Sequence, residues 1–361
     1  AEPLVKETKS GFETDAFSAV LLDENGVILY EKNPHEKLPP ASVTKIMTLL
    51  LAIEAVESGK ISLDDKVKTS KNAHEQGGSQ IWLEVGEELS VHELLIAVAV
   101  VSANDAAMAI LEHIYGTEEN GVMAMNDKAK SLGLLNTNFV NPNGLPAEDH
   151  YMSAYDAALI AREAIKHPLY MELCSIKEYW LREDKNWLVN TNKLLWWYEG
   201  ADGLKTGWTQ DAKYCFVGTA KRSDLRLISV IFKSEEPRSH LRESMRLLDW
   251  GYSNFVAVPI IKKGSVVDRV RVSRGNESEL EVVAACDLNV TIAKKESKNI
   301  EQKVIKKKNL RGPIAKGEKC GELVVFKDSI EIARVDLLAA KDIEKAGFLK
   351  IFQDMMNALF R

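Results

Sequence analysis

Cysteine is scarce in this 361-residue chain: Cys174, Cys215, Cys286 and Cys320 stand far apart and form no CxxC pair. That excludes zinc-cluster spacing and a thioredoxin-like redox motif, and it is too few for a disulfide scaffold. Buried free thiols are expected, with one Cys174–Cys215 bridge as the alternative, since both fall in one domain. Long apolar runs are missing as well. No stretch of about 18 apolar residues occurs, so no transmembrane helix is readable. The opening AEPLVKETKSG lacks the charged and apolar regions of a signal peptide and resembles the start of a mature chain, as export would leave it. There is no basic excess: 47 Lys and Arg against 53 Asp and Glu give a net charge of -6, which sets nucleic acid aside as a partner. His35, His74, His92, His113, His150, His167 and His240 show neither HExxH nor other ligand spacing, so no metal is expected and most should be surface or structural residues.

What is present is a globular composition, 45% hydrophobic, with a readable order of elements. SAVLLDENGVILYEKN places two β-rich runs around Asn25-Gly26, a tight hairpin signal. Helical periodicity follows from Ser42 to about Gly59, through SVHELLIAVAVVSANDAAMAILEHIYG with a break near Ser102, then in GVMAMNDKAKSLGL and SAYDAALIAREAIKH. YCFVGTAKRSDLRLISVIFK predicts a second hairpin turning near Arg222 to Asp224, and SHLRESMRLLDWGYSNF a closing amphipathic helix. Strands at both ends of a domain with helices between them predict an α+β fold over residues 1–256. From 257 to 346 short β-branched runs predict a small all-β domain, whose Lys-rich AKKESKNIEQKVIKKKNLR reads as a solvated strand face and loop. In the tail, 347–361, Phe348, Ile351, Phe352, Met355, Met356, Leu359 and Phe360 share one helix face. That face either packs on protein or lies in a membrane interface as a peripheral anchor.

The segment PPASVTKIMTLLL raises a chemical question, because a lysine follows a serine by three residues at the start of an apolar run. If Ser42 opens the helix, Ser42 and Lys45 sit one turn apart on the same face. A serine hydroxyl needs a base beside it, and a lysine amine serves when burial or a neighbouring cation keeps it neutral. Free N–H groups at the helix start would also stabilise negative charge developing there. Two further elements accompany it. VVSANDAAM supplies Ser102, a hydroxyl able to relay a proton, and Asn104, an amide able to hold a peptide group. GADGLKTGWT supplies Lys205 and Thr206, suited to a substrate carboxylate, while Gly207 would let substrate backbone approach the strand. A cation near Lys45 would push its amine toward the neutral form. Asp105 is expected to cap the helix that follows, and Trp187, Trp196 and Trp197 to serve in packing before lining a cleft.

The triplet SxxK, SxN and KTG is shared by penicillin-binding proteins and class A β-lactamases. With LPPASVTKIMT, GGSQIWLEVGE, SANDAAMAI, NTNFVNPNGLP, NTNKLL and DGLKTGWT, nearly the whole chain resembles the low-molecular-mass penicillin-binding proteins, the serine D-alanyl-D-alanine carboxypeptidases. No clear ExxLN-type acidic segment supports the β-lactamase reading. The resemblance implies an α+β penicillin-binding transpeptidase-like domain, with an antiparallel sheet and a helical cluster, followed by a small all-β domain and an amphipathic helix. It implies Ser42 as acylated nucleophile, Lys45 as base, Ser102 as proton relay, Asn104 on the peptide amide, and Lys205 with Thr206 on the terminal carboxylate. Gly207 would line the substrate strand, and the backbone N–H groups of Ser42 and Trp208 would form the oxyanion hole. The implied partners are a peptidoglycan stem peptide and inhibitory β-lactams, with no cofactor, on the wall-facing side of the cytoplasmic membrane. A DD-endopeptidase or transpeptidase would use the same residues, and a non-hydrolytic wall or β-lactam sensor could keep the pocket. One departure stands out: Lys213 occupies a position where the family commonly has glycine.

Overall fold

The computed structural model describes residues 11–295 and 299–347. It divides into two compact units, residues 1–253 and 254–361; the sequence reading placed the boundary at 256.

The first unit opens with strands β1 (Ser18–Asp23) and β2 (Ile28–Lys32). The turn between them is held by Asp23, whose carboxylate accepts from Val27 N at 2.7 Å, and Gly26 takes the positive φ (+90°) that the turn requires. A 3₁₀ turn, Ala41–Thr44, runs into α1 (Lys45–Glu57), so Ser42 lies inside a tight turn rather than opening the α-helix as expected. Pro40 and the left-handed Ala41 (φ +49°) coil the chain tightly there. No side chain caps this turn, which leaves the Ser42 hydroxyl available for other contacts.

Short elements β3 (Lys66–Lys68), α2 (Lys71–His74) and β4 (Glu88–Ser90) lead to the helical cluster of α3 (Val91–Val101), α4 (Asn104–Tyr115), α5 (Glu118–Ser131), α6 (Ala154–Ala164) and α7 (Pro168–Ser175). Helix α3 starts at a capping box, Ser90 with Glu93, and is buried from Leu94 through Val100. An apolar helix without a polar stripe must sit inside the cluster. Helix α1 is buried likewise from Lys45 through Ile53, so the residues ahead of it are anchored to a fixed rod. Each Leu or Ile so buried contributes about 1.5–3 kcal/mol.

A hairpin, β5 (Glu178–Leu181) with β6 (Asn186–Val189), and the short α8 (Leu194–Trp197) precede three long strands. These are β7 (Ala201–Thr209), β8 (Lys213–Arg222) and β9 (Leu225–Ser234), and α9 (Ser239–Asn254) closes the unit. The strands form one antiparallel sheet, order β2-β1-β9-β8-β7, in which β1 pairs with β9 and joins the first hairpin to the last meander. Arg226 on β9 reaches across β8 to Asp202 on β7 in a bidentate pair, 2.9 and 2.7 Å, and fixes the outer strand.

The second unit is all strand among the described residues. It comprises β10 (Phe255–Ile261), β11 (Val266–Arg271), β12 (Glu279–Ala284), β13 (Leu288–Ala293), β14 (Ile300–Lys306), β15 (Lys319–Lys327) and β16 (Ile330–Ala339). Strand β10 pairs with β13, and the rest form a five-stranded sheet, order β11-β12-β16-β15-β14. Its core alternates along the strands, as in Leu288, Val290 and Ile292. The proposed tail helix falls beyond Gly347, outside the described residues.

None of the four cysteines forms a disulfide, which removes the Cys174–Cys215 bridge. Cys174, Cys215 and Cys320 are buried, but Cys286 is exposed, contrary to the expectation for all four. It lies in the short connection between β12 and β13, outside both strands.

Candidate active site

Three segments bring SxxK, SxN and KTG together. The 3₁₀ turn presents Ser42, and Lys45, the first residue of α1, is fully buried with its Nζ 3.0 Å from Ser42 Oγ. The same Nζ donates to the Asn143 carbonyl at 2.6 Å. Ser102 is the left-handed residue (φ +63°) that ends α3, and Asn104 begins α4, so the break predicted near Ser102 is the joint that turns both side chains to one place. Asn104 N donates to the Ser79 carbonyl at 2.7 Å and its Nδ2 to the Gly77 carbonyl at 2.5 Å. Ser102 Oγ and Asn104 Oδ1 are buried without a protein hydrogen-bond partner. Leaving such a group unpaired costs about 1–3 kcal/mol, which marks both as groups awaiting a ligand.

Strand β7 carries Lys205, Thr206, Gly207 and Trp208. Lys205 is buried and donates to the Thr206 carbonyl at 2.9 Å, and Thr206 Oγ1 donates to Thr191 Oγ1 at 2.9 Å. Gly207 also meets a constraint from within the chain. A Cβ there would stand 3.0 Å from Pro40 O and Ser42 N and 3.1 Å from Val43 N, so the glycine lets β7 press on the chain's own nucleophile turn. Trp208 is exposed.

Electrostatics complete the arrangement. Burial, and then the Lys205 cation, hold the Lys45 amine well below the usual lysine range, against a smaller opposing pull from Asp105. Burial lowers Lys205 to about 7, opposed by Cys174. A buried free amine within hydrogen-bond reach of a hydroxyl is the arrangement for general-base activation of serine.

Four residues were not legible as parts of the site. Asn143 supplies the carbonyl under Lys45, and its side-chain amide donates to Gln76 Oε1 at 2.6 Å. Thr48 Oγ1 donates to the neighbouring Pro142 carbonyl at 2.6 Å, so the 142–143 segment is gripped twice by α1. The clue was NTNFVNPNGLP, a turn-rich stretch among the resembling motifs. His150, read as one of the surface or structural histidines, is buried with Nε2 2.9 Å from Thr44 Oγ1 and Nδ1 accepting from Val140 N at 3.0 Å. Burial and the Lys45 charge lower it to about 4, which keeps it neutral. Asp105 does more than begin a helix: its carboxylate accepts from Ile81 N and Leu83 N at 3.0–3.2 Å as well as from Ala106 N. The tryptophans also depart from expectation: Trp187, Trp196 and Trp197 are exposed rather than packed.

A ligand-type cluster of Glu54, Glu163 and His167, with atoms within 4.8 Å of one another, lies around the far end of α1. Lys128 pairs with Glu54 and Lys166 with Glu163, so both carboxylates are already neutralised.

The chain's relatives carry the same organisation. The D-alanyl-D-alanine carboxypeptidase family profile matches residues 5–236, and that of the penicillin-binding protein 5 C-terminal domain matches 255–345. D-alanyl-D-alanine carboxypeptidase DacF of Bacillus subtilis is 43% identical over 348 residues, 95% of this chain and 90% of that protein. DacC of Escherichia coli is 34% identical over 364 residues, 98% and 91% of the two chains. The crystal structure of penicillin-binding protein 5 from Haemophilus influenzae superposes with a TM-score of 0.75 at 34% identity, covering 92% of this chain and 99% of that one. A buried lysine beside a serine, set between an SxN joint and a KTG strand, thus sits in a chain that belongs to the D-alanyl-D-alanine carboxypeptidase family, the serine DD-carboxypeptidases among the low-molecular-mass penicillin-binding proteins.

Proposed function

We propose that this chain releases the terminal D-alanine of a peptidoglycan pentapeptide stem through an acyl-enzyme on Ser42. The observation that carries the assignment is the 3.0 Å approach of a buried, neutral-leaning Lys45 amine to the Ser42 hydroxyl. Lys45 takes the hydroxyl proton as Oγ attacks the carbonyl carbon of the penultimate residue. The oxyanion is held by the N–H groups of Ser42 and Trp208, each worth roughly 3 kcal/mol in comparable sites. The C–N bond to the last D-alanine then breaks, with Ser102 relaying the proton from Lys45 to the departing amine. Water hydrolyses the resulting ester, and a β-lactam enters by the same attack.

Asn104 holds the substrate amide, a role that would satisfy its unpaired Oδ1. Lys205 and Thr206 bind the terminal carboxylate, whose charge favours the protonated form of Lys205. Gly207 keeps β7 close enough for the Trp208 N–H to face the same carbonyl as that of Ser42.

The protein acts outside the cytoplasmic membrane, peripherally on its outer face. The family's wall substrate and the one-sided apolar pattern of 347–361 support this. Vesicle binding that survives deletion of the residues after Gly347 would dismiss the anchor.

The test of the reaction is mass spectrometry of pentapeptide wall fragments incubated with wild type and Ser42→Ala. Loss of one alanine from the stem by wild type alone is expected. Cleavage confined to crosslinked fragments, or new crosslinks, would replace the carboxypeptidase reading with endopeptidase or transpeptidase action; acylation without any product would favour a sensor.

A further inference from the structure

We infer that Trp82, Trp180 and Trp187 form a stacking platform for the pyranose rings of the glycan strand that carries the stem peptide. The inference rests on the carboxypeptidase reading above and extends it from the peptide to the sugar polymer.

Trp82 is 74% exposed and holds a left-handed backbone, φ +59°. A bulky side chain rarely adopts that region, and the strain persists only where surrounding contacts impose it. Here they do. The Asp105 carboxylate accepts from Ile81 N and Leu83 N on one side, and Arg182 donates to the Ile81 and Trp82 carbonyls at 2.8 and 3.4 Å on the other. The backbone is gripped on both flanks while the indole stays in solvent.

Arg182 belongs to the turn of the β5–β6 hairpin and is itself fixed by Glu87, 2.6 Å from Nε. Two residues earlier, Trp180 stands directly opposite Trp187. Their rings stack at 6.0 Å with planes 20° apart and remain 53% and 55% exposed, while Leu181 and Leu188 of the same strands are buried. The Trp180–Trp187 pair contributes to its own hairpin as a cross-strand contact, but folding does not account for the outward indole of Trp82 or for the outer faces that the pair leaves in solvent.

Both arms of this platform join the catalytic segments. The loop bearing Trp82 supplies the Gly77 and Ser79 carbonyls that hold Asn104, and β6 runs on to Thr191, which bonds Thr206. A glycan strand whose stem peptide sits in the cleft would be held against these rings. The hairpin segment 177–190 carries three basic and three acidic residues, so it lacks the positive charge that would favour an anionic lipid surface. Flat aromatic faces with a mixed polar rim suit a pyranose, which has apolar C–H faces and hydroxyl edges.

The test compares kcat/KM for D-alanine release from free pentapeptide and from pentapeptide on intact glycan strands. The proteins are wild type, Trp82→Ala, Trp180→Ala/Trp187→Ala and Trp180→Phe/Trp187→Phe. Wild type should prefer the glycan-linked stem by about three- to tenfold. The alanine variants should lose that preference while keeping free-peptide turnover and β-lactam acylation, and the phenylalanine variant should retain most of it. An unchanged preference in the alanine variants, or an equal loss on both substrates, would overturn the platform. If wild type is inactive on both substrates, only the carboxypeptidase reading fails. Sedimentation with stem-free glycan strands then decides the platform: wild type should co-sediment and the alanine variants should not, and equal sedimentation would overturn it.

Discussion

The Lys45 amine donates to the Asn143 carbonyl at 2.6 Å. A carbonyl accepts from either protonation state of the amine, so this contact aims Nζ at Ser42 without requiring it to be charged. Gly144 follows with φ +82°, and a Cβ there would collide with the Ala41 carbonyl and meet Thr44 Oγ1 at 2.9 Å. Gly144→Ala should therefore cut the acylation rate by a fluorescent penicillin more than about tenfold and lower Tm by several degrees. Acylation at the wild-type rate would show that the carbonyl does not aim the base.

The two lysines set opposite limits on pH. In the proposed mechanism, acylation needs Lys45 as the free amine and Lys205 as the ammonium. As pH rises, kcat/KM should climb through the lowered Lys45 ionisation and fall near 7, where Lys205 in the empty enzyme loses its proton. In kcat the falling limb should move up, because the bound carboxylate favours charged Lys205. Coincident limbs in the two profiles would separate Lys205 from the carboxylate.

Stability carries the same signature with its own sign. Lys205 falls from 10.5 in the unfolded chain to about 7 when folded, so between those values the unfolded state binds more protons. Stability from this group is lowest below about 7 and recovers as pH rises toward 10.5. Lys205→Met should raise Tm more at pH 6 than at pH 10 in calorimetry; an equal gain at both would point to packing instead.

Lys213 takes the left-handed conformation, φ +55°, at the end of the three-residue loop from Thr209. Such loops favour glycine there, so the lysine carries a backbone cost. Its ion pair with Glu235, at 3.9 Å between exposed side chains, offsets little. Lys213→Gly should stabilise the first unit by about 0.5–1 kcal/mol with acylation unchanged, checked by urea unfolding. A loss of stability would mean that the lysine side chain contributes more than its backbone costs.

The strands and helices were legible wherever periodicity met punctuation. Asn25-Gly26, the Ser102 break and the Ser223 turn all stand where their residue types require. Ser42 did not, because an apolar run after two prolines is equally compatible with an α-helix or a 3₁₀ turn feeding one. The motif residues could be named from SxxK, SxN and KTG together, but Asn143, though inside a resembling stretch, acts through its backbone carbonyl, and His150 through a buried ring outside every motif. At Gly207 the sequence marks a close approach without showing that the Ser42 turn is one of the groups that approach. The exposed tryptophans were misread for a related reason: hydrophobicity predicts burial, and only tertiary contacts show which rings are pinned outward.

Strand β7 ends its sheet, with β8 on one side only. An outermost strand is ordinarily a hazard, since its open row of amides and carbonyls invites another chain to add on and seed aggregation. Here the tight turn around Ser42 packs against one face of that strand, close enough that a single methyl on Gly207 would crowd it, while no further strand pairs with the row itself among the described residues. The feature that elsewhere must be blunted by charge or proline is left, beside the Ser42 turn, as a place where an extended chain can pair.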